Sequence, residues 1–315
     1  MRPWWTCLPK HGGAKITSEV VTEGERRELR EGTAYALAAY TFWGVAPVYF
    51  VWVEFAGALE VLSHRIVWSV PLLALLVLAG RQWRSFALLT RATLLRLAAC
   101  AVLLSINWLT FIYGVQDGRI AETSLGYFIN PLVTIVLGAA FLGERMRPLQ
   151  WVAVGIAFLG VAVELVLYGS LPWIALSLAL TFGFYGLLRK QVALPAALAL
   201  GLETLMVAPI ALAGLIWLWD PSRTGVELAW LALGGFVTVF PLVCFGAAAT
   251  RLPLTILGFF QYLAPTLSLL IAVSVFDETV TAVRWFAFAM VWVAVLVFTA
   301  EGVINTRGQR VARQL

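Results

Sequence analysis

The sequence predicts an all-α integral membrane protein with ten transmembrane helices arranged as two inverted five-helix repeats. Three observations predict it. First, 61% of the 315 residues are hydrophobic and 12% are charged, about half the charged share of a soluble domain. Second, the chain repeats itself: Pro131, Glu144 and Trp151 recur at the same spacings as Pro265, Glu278 and Trp285. A second register, two residues out of step, pairs Gly114, Arg119, Thr123, Leu125, Gly126 and Phe128 with Gly246, Arg251, Thr255, Leu257, Gly258 and Phe260. Third, positive charge alternates from one connection to the next. Self-similarity in an apolar chain points to a fold duplicated within one membrane, with the substrate site where the halves meet.

Residues 1–31 hold six Lys/Arg and five Glu with no apolar core. They read as a disordered cytosolic tail and lack the pattern of a signal peptide. Apolar runs long enough to cross about 30 Å of hydrocarbon as helix follow at 32–53, 59–80, 94–115, 122–142 and 149–168. Five more lie at 171–188, 197–219, 228–250, 254–276 and 281–304. The first repeat is thus expected over 32–168, the second over 169–304, and a cytosolic tail over 305–315.

Of 22 Lys and Arg, eighteen fall in tails and connections on one side, three on the other, and Arg65 lies inside a span. The positive-rich side is cytoplasmic, so both termini are expected inside. Five spans per half then force the second half to enter upside down. Glu144 falls in a cytoplasmic turn and its mate Glu278 in an external one.

Catalytic chemistry finds little support. None of the three lysines, Lys10, Lys15 and Lys190, follows a phosphate-binding glycine loop, and no Gly-x-Ser-x-Gly elbow occurs. Cys7, Cys100 and Cys244 are an odd set that offers no disulfide framework. Two histidines without a Cys/His cluster do not suggest a metal site. No cofactor and no nucleic-acid partner are expected. The alternatives to a transporter are a membrane enzyme on lipid-linked substrates and a non-transporting receptor or assembly factor.

Charged groups inside a span are costly and face a cavity or a partner. His64 and Arg65 lie in the second span and Glu203 in the seventh. Aligning Pro71 with Pro209 makes Arg65 the counterpart of Glu203. Helical side chains lean toward their own N-terminus, which argues against a direct salt bridge between them. Arg65 either reaches the outer headgroups, toward Glu60, or lines an outer vestibule beside His64. Glu203 either titrates protons in a cavity or makes a structural hydrogen bond.

In the fourth span Tyr127, Pro131 and Thr134 share one helix face, and in the ninth Gln261, Pro265 and Ser268 do the same. Proline frees a backbone carbonyl that needs a partner. The polar neighbours either bind substrate or satisfy that carbonyl. Asn107, Trp108 and Asn130 are further polar positions, with interhelical hydrogen bonding as the alternative to substrate contact. Tyr185 and Trp43, each preceding a glycine, either wall a cavity or pack helices.

At these residues the chain resembles the EamA-type branch of the drug/metabolite transporter superfamily, and within it the RarD-like proteins. The matching stretches are ALAAYTFWGVAPVYF (36–50), HRIVWS (64–69), SLGYFINPLVTIVLGAAFLGER (124–145), FYGLLRK (184–190), ETL (203–205) and LGFFQYLAPTL (257–267). The resemblance implies a ten-helix transporter of small metabolites or drugs that works by alternating access, often as an exporter, with a link to chloramphenicol sensitivity. It carries over Trp43, Gly44, Pro47, His64, Arg65, Trp68, Asn107, Trp108, Tyr127, Asn130, Pro131, Tyr185, Glu203, Gln261 and Pro265 as shared positions. One departure is Asp277-Glu278 in the second repeat against Gly143-Glu144 in the first, which suggests that the external turn is held differently.

The expected site lies near the midplane, lined by the second, fourth, seventh and ninth spans. His64, Arg65, Trp68, Asn107, Trp108, Tyr127, Asn130, Pro131, Tyr185, Gln261 and Pro265 are the substrate-binding candidates, and Glu203 is the proton-coupling candidate. The expected partners are a small-molecule substrate, protons and the lipid bilayer of a bacterial plasma membrane. No oligomer is required, because one chain holds both repeats.

Overall fold

A computed structural model of the chain describes residues 23–117, 119–168, 171–277 and 279–311. Every regular element among them is a helix. In chain order these are α1 (Glu23–Trp52), α2 (Ala58–Ala79), α3 (Arg91–Gln116), α4 (Ile120–Phe141), α5 (Pro148–Tyr168), α6 (Trp173–Lys190), α7 (Ala196–Trp217), α8 (Gly225–Arg251), α9 (Leu254–Gln261), α10 (Leu263–Val275) and α11 (Ala282–Val311). A short 3₁₀ segment, Gln82–Leu88, joins α2 to α3.

Among the described residues, nine segments are long and apolar enough to cross a membrane, with α9 and α10 counted together. A helix also occupies the place of the expected sixth span. That helix, α6, is 18 residues long and ends in Arg189-Lys190, so its charged end takes it below the apolar requirement. Helix α1 begins at Glu23, inside the segment expected to be a disordered tail. Its early start has a physical cause. Glu28 and Glu31 pair with Arg251 at 3.2 and 3.5 Å, and Gly32 lies against Leu252. The rest of that expectation, residues 1–22, lies outside the described residues, as do the last four residues of the expected C-terminal tail.

The expected ninth span is broken. It divides at Tyr262 into α9 and α10. Pro265 causes this, since its ring lacks the N–H and clashes with the carbonyl four residues back, which is that of Gln261. Pro131 does not divide α4 in the same way.

The main partners of each helix lie in the other half of the chain. Helix α1 packs on α8 and α10, α2 on α7 and α8, α3 on α6, α4 on α6 and α9, and α5 on α11. Without a hydrophobic force between lipid-immersed helices, small residues let backbones approach. A Cβ placed on Gly235 of α8 would lie 2.6 Å from the Trp68 carbonyl carbon of α2. Gly235→Ala is therefore expected to destabilise the protein by about 1–3 kcal/mol through overpacking. Gly155, with nothing within 4 Å of a built Cβ, serves as the control. Alanine there should be neutral or stabilising by up to about 1 kcal/mol, the usual helix preference. Thermal unfolding of the two variants in the same detergent checks the pair. Equal effects would refute the close-approach argument.

Polar networks tie the two ends of the bundle. At one end Glu144 accepts from the backbone N–H groups of Leu254 and Thr255 at 2.7 and 2.8 Å, and Lys190 Nζ lies 3.8 Å from it. Lys190 also donates to the carbonyls of Ala249 and Leu252, and Arg147 pairs with Glu301 at 2.5 Å. At the other end Arg223 pairs with Glu60 at 2.8 Å and donates to the Phe55 carbonyl. There too Glu122 accepts from Ile174 N–H at 2.8 Å.

Gly143 adopts a left-handed φ of 65°, and its repeat mate Asp277 one of 51°. These two positions thus share a left-handed φ despite the sequence departure, since Asp is among the side chains that tolerate this region. Glu278 itself lies outside the described residues.

Candidate functional site

Helices α2, α3, α7 and α8 enclose a narrow gap, with a volume of about 10 Å³ and room for little more than a water. Its polar lining is Ser69, Ser105, Glu203, Thr204 and Thr238, with Trp108 beside them.

Arg65 lies beyond this lining and touches two of its members, Thr238 and Trp108. Its Nε donates to Thr238 Oγ1 at 2.8 Å. Thr238 is oriented by donating in turn to the Gly234 carbonyl of its own helix, also at 2.8 Å. The guanidinium carbon lies 5.4 Å from the Phe50 ring centre and 5.6 Å from that of Trp108. Among the described residues no carboxylate pairs with it. The site therefore holds a cation by ring faces and a hydroxyl, which leaves the charge free to attract an anion.

Glu203, 2% exposed, lines the gap directly. Its Oε2 accepts from the Tyr185 hydroxyl at 3.4 Å, and its Oε1 has no hydrogen-bond partner. Tyr185 is wedged in an aromatic cluster. It stacks on Phe245 with ring centres 5.8 Å apart, while Trp43 sits 6.0 Å from the same ring. No ion pair joins Arg65 to Glu203 among the described residues.

The other candidates divide by place. Asn107 donates to the Leu178 carbonyl and to Thr181 Oγ1, both at 2.9 Å, and so fastens α3 to α6. Trp68 is 45% exposed and lines no part of the gap. His64 lies at a separate gap with Glu60, Trp219, Asp220 and Arg223, its Nδ1 buried and unpartnered. In that connection Asp220 accepts from the Ser222 hydroxyl and amide at 2.6 and 2.9 Å, and these bonds hold its carboxyl below the usual range.

Helices α4 and α9 were expected to line the site with α2 and α7. Instead α3 and α8 flank the gap, because α4 packs on α6 and α9. Within that contact Gln261 Nε2 donates to Thr134 Oγ1 at 3.0 Å, and Asn130 Oδ1 accepts from the same hydroxyl at 3.5 Å. A Cβ on Gly258 would meet the Pro131 carbonyl oxygen at 2.9 Å. Pro265 is half-buried in α10. Tyr127 is 47% exposed and faces Phe111, with ring centres 6.2 Å apart.

Sequence reasoning missed Phe50, Thr238 and Arg189. Arg189 is 1% exposed and follows Tyr185, the donor to Glu203, on the same helix. A signal for it was present. Tyr185 and Arg189 stand four residues apart, on one face of α6.

The fold defines a multi-pass membrane protein, and relatives place it in the transporter class. An uncharacterized transporter of Vibrio cholerae is 44% identical over 297 residues, covering 92% of this chain and 98% of its own. Protein RarD of Escherichia coli is 44% identical over 291 residues, covering 90% of this chain and 98% of its own. The chloramphenicol-sensitive protein RarD of Pseudomonas aeruginosa is 34% identical over 280 residues, 84% of this chain and 92% of its own. A solved crystal structure with 19% sequence identity shares the fold, with a TM-score of 0.67 over 86% of this chain and 97% of its own. The model of the EamA-like transporter family matches residues 30–166. The chain belongs to the EamA-like transporter family of the drug/metabolite transporter superfamily, and is RarD-like within it. These names point to a transporter rather than an enzyme.

Proposed function

We propose that the protein is a secondary active transporter of the bacterial inner membrane that exports small amphipathic metabolites or drugs. The observation that carries the reading is one intramembrane gap lined by a carboxylate, 2% exposed, with an arginine held on two of its lining residues, Thr238 and Trp108. In the transport cycle Arg65 attracts an anionic or electron-rich group of the solute, and Trp108 and Phe50 supply apolar contact. Glu203 takes up and releases the coupling proton.

Access alternates between two inverted five-helix repeats, with ten spans in all and both termini in the cytoplasm. The pairing of helices supports this arrangement. Exchanging the first and second halves turns the contact of α1 with α8 into that of α6 with α3. The matched left-handed turns at Gly143 and Asp277 support it too. The positive charge bias of the connections supports the orientation.

The name of the Pseudomonas relative makes chloramphenicol the first probe. In proteoliposomes carrying an imposed pH gradient, the wild-type protein should move chloramphenicol faster than without one. Glu203→Gln, which cannot exchange a proton, should remove the stimulation and leave downhill flux. A variant as responsive to the gradient as the wild type would reject proton coupling through Glu203.

A further inference from the structure

We infer that Arg189 is the counter-ion of Glu203 and a positioning residue for the translocation machinery. The inference rests on the proposed role of Glu203 only for its functional consequence. The pairing itself stands on the geometry.

Arg189 and Glu203 are both buried, and Tyr185, which donates to Glu203, precedes Arg189 by one helical turn. Arg189 is 1% exposed and Glu203 2%. Neither Nη1 nor Nη2 of Arg189 has a hydrogen-bond partner, and neither does Oε1 of Glu203. An orphaned guanidinium and an orphaned carboxylate oxygen are complementary, and each alone is costly in low dielectric. Tyr185 bridges them in space: it stands four residues before Arg189 on α6, and its hydroxyl donates to Glu203.

Other groups near Glu203 offer no competing cation. From α3 comes Cys100, 0% exposed, along with Ser105 across the gap. From α2 comes Ser69, from α8 Thr238, and from α7 itself Thr204. Arg65 is engaged on Thr238 and Trp108.

The backbone makes room for the guanidinium. A Cβ on Gly246 of α8 would stand 3.1 Å from Arg189 Nε and 3.3 Å from Nη2. Arg189 therefore lies against a bare stretch of α8 and is held there, beside Glu203, without an ion pair of 4 Å or less to any described residue. Its charge keeps a carboxylate tolerable at this depth.

A double-mutant cycle on the full chain in nanodiscs tests the assignment. Arg189→Gln and Glu203→Gln should each lower the unfolding temperature, and R189Q/E203Q should recover most of the loss, because neither charge is then stranded. Additive losses would overturn the assignment. If R189Q yields no folded protein, recovery of folded yield in the double variant is the same test, and a double variant as poor as the single would overturn it.

The functional arm uses chloramphenicol in proteoliposomes. Arg189→Lys, which keeps the charge, should retain gradient-driven flux that Arg189→Gln loses. Loss in both variants would overturn the positioning role. Coupled stabilities together with a gradient-responsive E203Q would sustain the pair and sink the proton reading instead, so the two failures are distinguishable.

Discussion

Arg65→Lys is expected to lose most transport although it keeps the positive charge. Arginine here does two things at once from one planar head, which lysine's single ammonium point cannot combine in this geometry. Its Nε donates to Thr238 at 2.8 Å, and its flat head stands before the rings of Phe50 and Trp108. A hydrogen bond from a charged donor contributes about 1.5–3 kcal/mol, and each cation–ring contact about 0.5–2 kcal/mol. An ammonium on a flexible stem reproduces neither the fork nor the stacking. Losing about 1.5 kcal/mol, the low end for the hydrogen bond alone, weakens solute capture by about tenfold. Arg65→Ala should do at least as much harm. Thr238→Val should give a smaller defect of the same kind, because it removes only the acceptor that fixes the fork. Initial rates of chloramphenicol flux against solute concentration would check this. If the lysine variant matched the wild type, Arg65 would be acting as a simple point charge and the planar-recognition argument would fail.

Glu144→Ala should be the most damaging change at the end of the bundle where Lys190 lies. One carboxylate there accepts from two backbone N–H groups at the start of α9 and stands 3.8 Å from Lys190. The first N–H groups of a helix have no partner within it, and a carboxylate at that end also complements the helix dipole. Removing the acceptor strands two donors and leaves Lys190 without its carboxylate. With each unsatisfied buried group costing about 1–3 kcal/mol, a loss of about 2–4 kcal/mol is expected. Glu144→Gln should lie between the variant and the wild type, since its amide oxygen still accepts but carries no charge. Thermal unfolding in detergent or nanodiscs reads the series directly. If alanine and glutamine behaved alike, the charge would be irrelevant and only the oxygen would matter.

Much of the helical layout was legible because lipid imposes it. Each apolar run had to become a helix, and a helix occupies the place of every expected span. The boundaries moved where polar contacts extend a helix, as when Glu28 and Glu31 reach Arg251 and draw α1 back to Glu23. The break at Tyr262 could have been placed from Pro265, whose clash falls on Gln261. A sequence offers no equal reason for α4 to stay whole over Pro131, since that depends on its packing against α6 and α9.

The site was harder to read. Arg65 and Glu203 stood out because charges within apolar runs are conspicuous. Arg189 did not, because it sits beside Lys190 at a helix end, where a basic pair looks like an ordinary connection. Asn107 looked equally suited to solute or to structure. Its two donations to α6 depend on how α3 and α6 face each other, and periodicity does not say that.

Glu144 belongs to the first half of the chain, yet the helix start it completes belongs to the second. The halves are therefore not interchangeable parts. A chimera that takes α6 to α11 from a relative must also inherit a matching acceptor from the donor's loop after α4. Otherwise the grafted segment would arrive with its opening amides bare, and the hybrid would be lost to misassembly before any question of what it carries could be asked.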